Sequence, residues 1–236
     1  MEDTRTLPGT DDLGPWSILE QLVRTLRLPG GDTDQLVSRI CDEACRIVPA
    51  ARDVGVLVTD PDGNLRTVFA TGTAPRVLDE LQTRLGTGPC LTAARKQIVV
   101  RMHDIAADTR WPVFRAAALD CDVASMLCMP LYIDDELLGT LSFFGDRVDA
   151  FRDGAEPTAR LVATLSAVAL ADSRHRARME RALHNRDLIG QAKGVLMHRH
   201  GIDADTAFAL LRDRSQRTNS KLLTVAARVV ADRALD

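Results

Sequence analysis

The sequence predicts two parts of different class: an α+β domain built on an antiparallel sheet, joined by a long helix to an all-α three-helix module. Three observations carry this. Between residues 53 and 144, short apolar runs are separated by turn residues at hairpin spacing. Helical periodicity flanks and interrupts those runs. From Pro157 onward only helical spacing remains.

The bulk properties agree. A chain of 236 residues has room for one medium domain and one small one. It is 45% hydrophobic and 27% charged, with a formal net charge of -3, which fits a folded, soluble protein. No apolar run approaches the roughly 20 residues of a membrane span. The N-terminus lacks a basic start and an apolar stretch, so it does not read as a secretory signal. Five cysteines, an odd number without framework spacing, point to a reducing cytoplasm. The predicted boundaries are a loose tail over 1–14, the α+β domain over 15–155, a connecting helix over 156–180 and the helical module over 181–236.

In chain order, Ile18, Leu19, Leu22, Val23 and Leu26 follow a helical pattern that Pro29-Gly-Gly31 breaks. Thr33 or Asp34 caps a second helix with Leu36, Val37, Ile40, Ala44 and Ile47 on one face. Asp53 to Thr59 and Leu65 to Ala70 are strands around the turn Asp60-Pro-Asp-Gly-Asn64. That turn lacks the spacing and the closing glutamate of a calcium loop. Residues 74–85 are helical, with Val77, Leu78, Leu81 and Leu85 expected inward. Gly86 to Cys90 is a loop, not a phosphate loop, because no Gly-Lys-Ser/Thr ending follows. A short strand over Ile98–Arg101, a short helix over Phe114–Leu119, and strands over Val123–Ile133 and Leu137–Phe144 complete the domain. The spacing of Leu161, Leu165, Val168, Asp172 and His175 is close to 3.5 residues, and no breaker separates it from Leu188. One long helix is expected, with a short dimerisation seam that fails at Asp172 and His175.

The last module has its own core. Leu188, Ile189, Ala192, Val195 and Leu196 form a helical stripe that Gly201 ends. Asp203 caps a second helix with Ala207, Leu210 and Leu211 inward, and Asn219 and Ser220 open a third with Leu222, Leu223, Ala226, Val229 and Val230 inward. Asn219 has a second reading, as a nucleic-acid contact. From Arg181 to Asp236 ten basic residues face six acidic ones. Such an excess suits a nucleic-acid surface and equally a solvated face. Gly190 and Gly194 cost about 1 kcal/mol each against alanine inside a helix. At i,i+4 they clear one face, either for a packed neighbouring helix or for an RNA backbone.

Ile189-Gly-Gln-Ala-Lys-Gly194, Leu196-Met197, Gly201, Ala207 to Leu211, Ser215-Gln-Arg-Thr-Asn-Ser-Lys-Leu222 and Val225-Ala226 resemble the ANTAR domain without a gap. The resemblance implies a three-helix RNA-binding module of transcription antiterminators, which grips paired hairpins in nascent transcripts and is not catalytic. The RNA-contact candidates are Gln191, Lys193, Arg199, Arg212, Ser215, Gln216, Asn219 and Lys221. Arginine and lysine attract phosphate, and the amides and hydroxyl reach base edges or sugars.

Gly86-Thr-Gly-Pro-Cys90, Asp104-Ile105, Arg110-Trp-Pro112, Met129-Pro-Leu131 and Leu138-Gly-Thr-Leu141 resemble a GAF domain over about Trp16 to Phe151. That resemblance implies a sensory domain with a pocket over the sheet, for a small-molecule or redox signal. Phe69, Cys90, Trp111, Met126 and Cys128 are the pocket candidates; each also fits a plain core role. Cys41 and Cys45 share a helix face and either bridge a metal or a reversible disulfide, or act as small buried hydrophobes. His103 is the domain's sole histidine, which argues against zinc or haem. The cofactor is unknown, and none is required by the sequence.

No nucleophile elbow, Walker motif or H-E-x-x-H is present, and His198 and His200 lie on opposite sides of a helix. No catalytic residue and no metal ligand is assigned. The expected protein is a cytoplasmic homodimer that binds RNA hairpins and no membrane. The alternatives are a DNA-binding regulator, disfavoured by a turn without glycine between the last two helices, and a non-catalytic dimerisation protein.

Overall fold

Runs such as Val54-Gly-Val-Leu-Val58 and Leu137 to Phe144 are apolar on both alternating positions. A strand of that kind must be covered on both faces. The computed structural model describes residues 15–26, 33–60, 63–152 and 154–232, and shows this arrangement. In chain order the elements are α1 (Pro15–Leu26), α2 (Thr33–Ile47), β1 (Asp53–Thr59), β2 (Leu65–Ala70), α3 (Thr73–Leu85), α4 (Pro89–Lys96), β3 (Val100–Met102), α5 (Pro112–Asp120), β4 (Ser125–Ile133), β5 (Glu136–Gly145), α6 (Ala155–His200), α7 (Ala204–Arg217) and α8 (Leu222–Ala231). The predicted tail over 1–14 and the Pro29-Gly-Gly31 break lie outside the described residues, as does part of the Asp60–Asn64 turn.

The chain falls into two compact units that meet at Ser173/Arg174, inside α6. In the first unit the strands form one antiparallel sheet in the order β2-β1-β5-β4-β3. On one face, Val54, Val56, Val58, Leu127, Met129, Leu141 and Phe143 pack with α1, α2 and the start of α6. On the other, Leu57, Met126, Cys128 and Phe144 pack with α3, α4 and α5. The alternation of neighbouring residues between two clusters is the period of two expected of strands.

Several expected inward positions move. On α3, Leu78 is fully buried, but Val77 and Leu85 are each 44% exposed. The buried face of that helix instead holds Ala74, Pro75, Asp79 and Gln82. On α1, Val23 is exposed. Pro89 and Cys90 belong to α4 rather than to the preceding loop, and β3 starts at Val100, two residues later than the predicted strand. Leu165 packs against the core of the first unit and so does not lie on a free seam.

The second unit is held by Ala192, Leu211, Val225 and Ala226, with Leu188, Ile189, Leu196, Leu222, Val229 and Val230 around them. The predicted helix stop at Gly201 is present, with φ +61°. The Asp203 side chain caps α7 by accepting from the Thr206 N–H at 2.7 Å. Leu210, expected inward, is 43% exposed. Val225, absent from the predicted stripe, is buried in its place on α8.

Gly139, within the Leu138-Gly-Thr-Leu141 stretch, shows why that position tolerates no side chain. Its φ is +156°, and a Cβ there would lie 1.9 Å from the Leu57 carbonyl oxygen on β1. The obstacle is backbone in the middle of the sheet and cannot rotate away. Gly139→Ala is expected to destabilise the first unit by more than about 2 kcal/mol. Chemical denaturation followed by near-UV circular dichroism checks this; an unchanged midpoint would contradict it.

Candidate functional site

Two groupings of chemically capable side chains stand out, one in each unit. In the second unit, Arg212, Ser215, Gln216, Asn219 and Lys221 lie on α7 or in the turn between α7 and α8. The sequence offers no glycine there, and the structure shows why none is needed. Asn219 adopts φ +47°, a left-handed conformation that asparagine tolerates better than most residues. Its N–H donates to the Gln216 carbonyl at 3.3 Å, and the Ser220 N–H to the Ser215 carbonyl at 3.1 Å. The Ser215 hydroxyl closes the turn by donating to the Ser220 carbonyl at 2.6 Å. The cap of α8 is Lys221 and has no side-chain capping bond, so Asn219 is the turn residue and not the cap. A missing glycine therefore carries no weight against a helix-turn-helix.

The eight predicted RNA contacts divide by environment. Gln191, Arg212, Gln216, Asn219 and Lys221 are exposed, and among the described residues their side chains have no partner. Lys193 is half-buried, with its ammonium 6.0 Å from the centre of the Phe208 ring. Ser215 is engaged in the turn. Arg199 donates to the Asp232 carbonyl at 3.1 Å, just past the end of α8, which opposes the helix dipole favourably. Phe208, 37% exposed beneath Lys193, was not among the predicted residues; an aromatic flanked by a lysine fifteen positions upstream leaves no periodic signal. A Cβ placed on Gly190 or Gly194 would meet nothing within 4 Å, so among the described residues no neighbouring helix occupies that face.

In the first unit, four of the five pocket candidates come together. Cys90, Met126 and Cys128 are buried in one cluster, and Trp111 packs against it. Phe69 lies on the opposite side, because it pairs with Val56, which faces the α1/α2 core. Cys90 is the centre of a buried polar group. Its Sγ lies 3.1 Å from the Ser142 Oγ and 3.8 Å from the Cys128 Sγ. The Gln82 amide donates to that Sγ at 3.2 Å, and the Gln82 Oε1 accepts from the Cys90 N–H at 2.8 Å. Gly88 makes room, since a Cβ there would fall 2.3 Å from Gln82. Asp79 completes the group: Oδ1 accepts from Gln82 and lies 3.6 Å from Cys90 Sγ, while Oδ2 is buried without a partner. Burial, followed by Cys90, drives the Asp79 carboxyl well above its ordinary range. Burial likewise pushes the Cys90 thiol up. A neutral acid and a protonated thiol are what a dry interior permits.

Cys41 is buried, whereas Cys45 is half-buried and touches the Thr71 hydroxyl at 3.7 Å. Burial raises both thiols. Among the described residues, no three His, Cys, Asp or Glu side chains are grouped to hold a metal.

A sheet clad by helices on both faces, followed by a compact helical unit with an exposed basic turn, defines a two-module protein. The family models agree. The GAF domain matches residues 31–171 and the ANTAR domain residues 177–230, so the chain belongs to the GAF family and carries an ANTAR domain after it. Both are regulatory families, and the chain is a regulator with a sensory domain. No curated protein matches it. Among solved structures it is similar to the GAF domain of an Acinetobacter phosphoenolpyruvate-protein phosphotransferase. There the identity is 11% and the TM-score 0.56, over 69% of this chain and 96% of that one. It is also similar to a free methionine-R-sulfoxide reductase from Neisseria meningitidis, solved with its substrate. The identity is 17% and the TM-score 0.54, over 68% and 90% of the two chains. At these identities the likeness is one of fold. Among the described residues no helix is long and apolar enough to cross a membrane.

The raised proton affinity of Asp79 has a thermodynamic signature. The folded chain holds a proton that the unfolded chain releases, so this group's contribution is intact at low pH and is lost as pH rises above the ordinary carboxylate value. Asp79→Asn keeps the shape and removes the titration. Its melting temperature relative to the parent protein is expected to climb as pH rises above the ordinary carboxylate value of about 4. A pH-independent difference by differential scanning calorimetry would contradict the assignment.

Proposed function

We propose that this protein is a signal-responsive transcription antitermination regulator. Its ANTAR domain binds hairpin RNA in nascent transcripts, and its GAF domain governs that binding. The observation that carries the reading is the match of the ANTAR domain over residues 177–230, on a unit whose Gln191, Arg212, Gln216, Asn219 and Lys221 side chains are exposed and unpartnered among the described residues. Unpaired basic side chains serve for phosphates, and the amides serve for the unstacked bases of a loop. Lys193, Arg199 and Ser215 are RNA contacts in the same reading, held in place by Phe208, the Asp232 carbonyl and the turn. Metal and cofactor play no part in this reading, and the protein acts without catalysis in the cytoplasm.

The working form is a homodimer. On α6, Val168, Met179 and Leu183 are more than half exposed, an uncommon state for large apolar residues spaced along one helix. Two RNA modules held together bind tandem hairpins with an effective-concentration gain, which the sensory domain can grant or withhold. Met179→Glu with Leu183→Glu is expected to turn a dimer into a monomer by light scattering; a dimer that persists removes this seam.

RNA binding is tested by mobility shift with hairpin RNA, duplex DNA and single strands. Hairpin RNA is expected to bind most tightly. Lys193→Glu with Lys221→Glu is expected to weaken it at least about tenfold and to lower the log–log salt slope by roughly two. Unchanged affinity in a folded double variant would refute the assigned face, and preference for duplex DNA would favour a DNA-binding regulator.

A further inference from the structure

The free edge of the sheet carries a feature that the RNA reading does not use. Between edge strand β2 and helix α3 lies a cleft of about 470 Å³, lined by Arg66, Phe69, Arg76, Glu80 and Arg84 among others. Three guanidinium groups and one carboxylate make it net positive, on a chain whose net charge is -3. Among the described residues none of these four charged side chains has an ion-pair or hydrogen-bond partner. This is unexpected by local rules. Glu80 stands four residues from both Arg76 and Arg84 on one helix, the spacing at which such pairs ordinarily form. The arginines are left facing a concavity instead of each other.

We propose that this cleft binds a nucleoside di- or triphosphate and is the ligand site of the sensory unit, an assignment that rests on the sensory reading of the GAF domain. The geometry selects the class. Arg76 and Arg84 are eight residues apart on α3, so their Cα atoms lie about 12 Å apart along the helix. A carboxylate or a monophosphate engages one guanidinium fork. A chain of phosphates reaches forks from both ends of the row, and Arg66 from the strand opposes them. Arginine suits this task because its planar donors match phosphate oxygens two at a time. Phe69, which packs toward the α1/α2 core, also borders the cleft at the sheet edge and supplies an apolar wall for a flat ring. Glu80, free of a partner, accepts from a sugar hydroxyl or a base amine. The volume falls within the range of roughly 300–1,000 Å³ usual for small-ligand sites.

The test is isothermal titration calorimetry on the full chain with ATP, GTP, ADP, AMP and inorganic tripolyphosphate at physiological salt. A nucleoside di- or triphosphate is expected to bind at one site per chain. AMP and tripolyphosphate are expected to bind more weakly by roughly tenfold or more. Arg76→Gln with Arg84→Gln is expected to cost the nucleoside polyphosphate roughly tenfold or more. Phe69→Leu should weaken the nucleotide and leave tripolyphosphate unaffected. Lys193→Glu with Lys221→Glu should leave nucleotide affinity unchanged, which separates this cleft from the RNA face. The proposal is overturned if none of the nucleoside polyphosphates binds. It is also overturned if tripolyphosphate binds as tightly as ATP, or if a double arginine variant with the parent's melting temperature binds as well as the parent. Loss of RNA binding alone would leave the cleft's ligand standing.

Discussion

Cladding on both faces of a five-stranded antiparallel sheet is the constraint from which the first unit follows. The central strands β1, β4 and β5 are apolar on both faces and cannot leave a side to water, so each supplies two cores at once. β4 sends Leu127 and Met129 one way and Met126 and Cys128 the other, and β5 does the same with Phe143 and Phe144. Such a sheet needs helices from before, within and after the strand set. The chain provides α1 and α2 before it, α3, α4 and α5 within it, and the start of α6 after it. Gly139 lies inside that sheet: at its φ of +156° a Cβ would point into the β1 backbone, so the β1–β5 pairing there excludes even a single methyl group.

Within the second of those cores the interior is not wholly apolar. Asp79, Gln82, Cys90 and Ser142 are buried together and satisfy most of one another's hydrogen-bonding groups. A network of this kind fixes the orientation of α3 and α4 on the sheet more sharply than hydrocarbon contacts would. The unpartnered Asp79 Oδ2 is its weak point. The same orientation of α3 turns Arg76, Glu80 and Arg84 outward, so the buried group and the basic cleft are two sides of one helix.

Hairpins, the long helix, the Gly201 stop and the Asp203 cap were readable because each rests on local chemistry: turn residues, period and capping. What was not readable depended on partners distant in sequence. Val77 and Leu85 looked inward because they are apolar, yet Asp79 and Gln82 took the interior by bonding to one another and to Cys90. Phe69 parted from Cys90, Trp111, Met126 and Cys128 because its register with Val56 placed it on the other face, and register is a property of strand pairs. At the α7–α8 turn the sequence suggested a cap, whereas the backbone demanded a left-handed residue and asparagine met that demand. The exposed RNA-contact candidates were legible as polar residues on an amphipathic pattern; the Ser215 and Arg199 bonds that bind them into the scaffold were not.

Gly190 and Gly194 sit in the last third of a 46-residue helix with empty space where side chains would stand. Together they cost that stretch about 2 kcal/mol relative to alanine, which the packing of Ile189, Ala192 and Leu196 on the other side of the helix has to offset. Amide protons around them should therefore exchange through local opening more readily than the same turns would with alanine at both positions. Whatever settles against this bare groove would quench that breathing, so occupancy there would be visible as slowed isotope uptake even where no atom of the backbone changes its mean position.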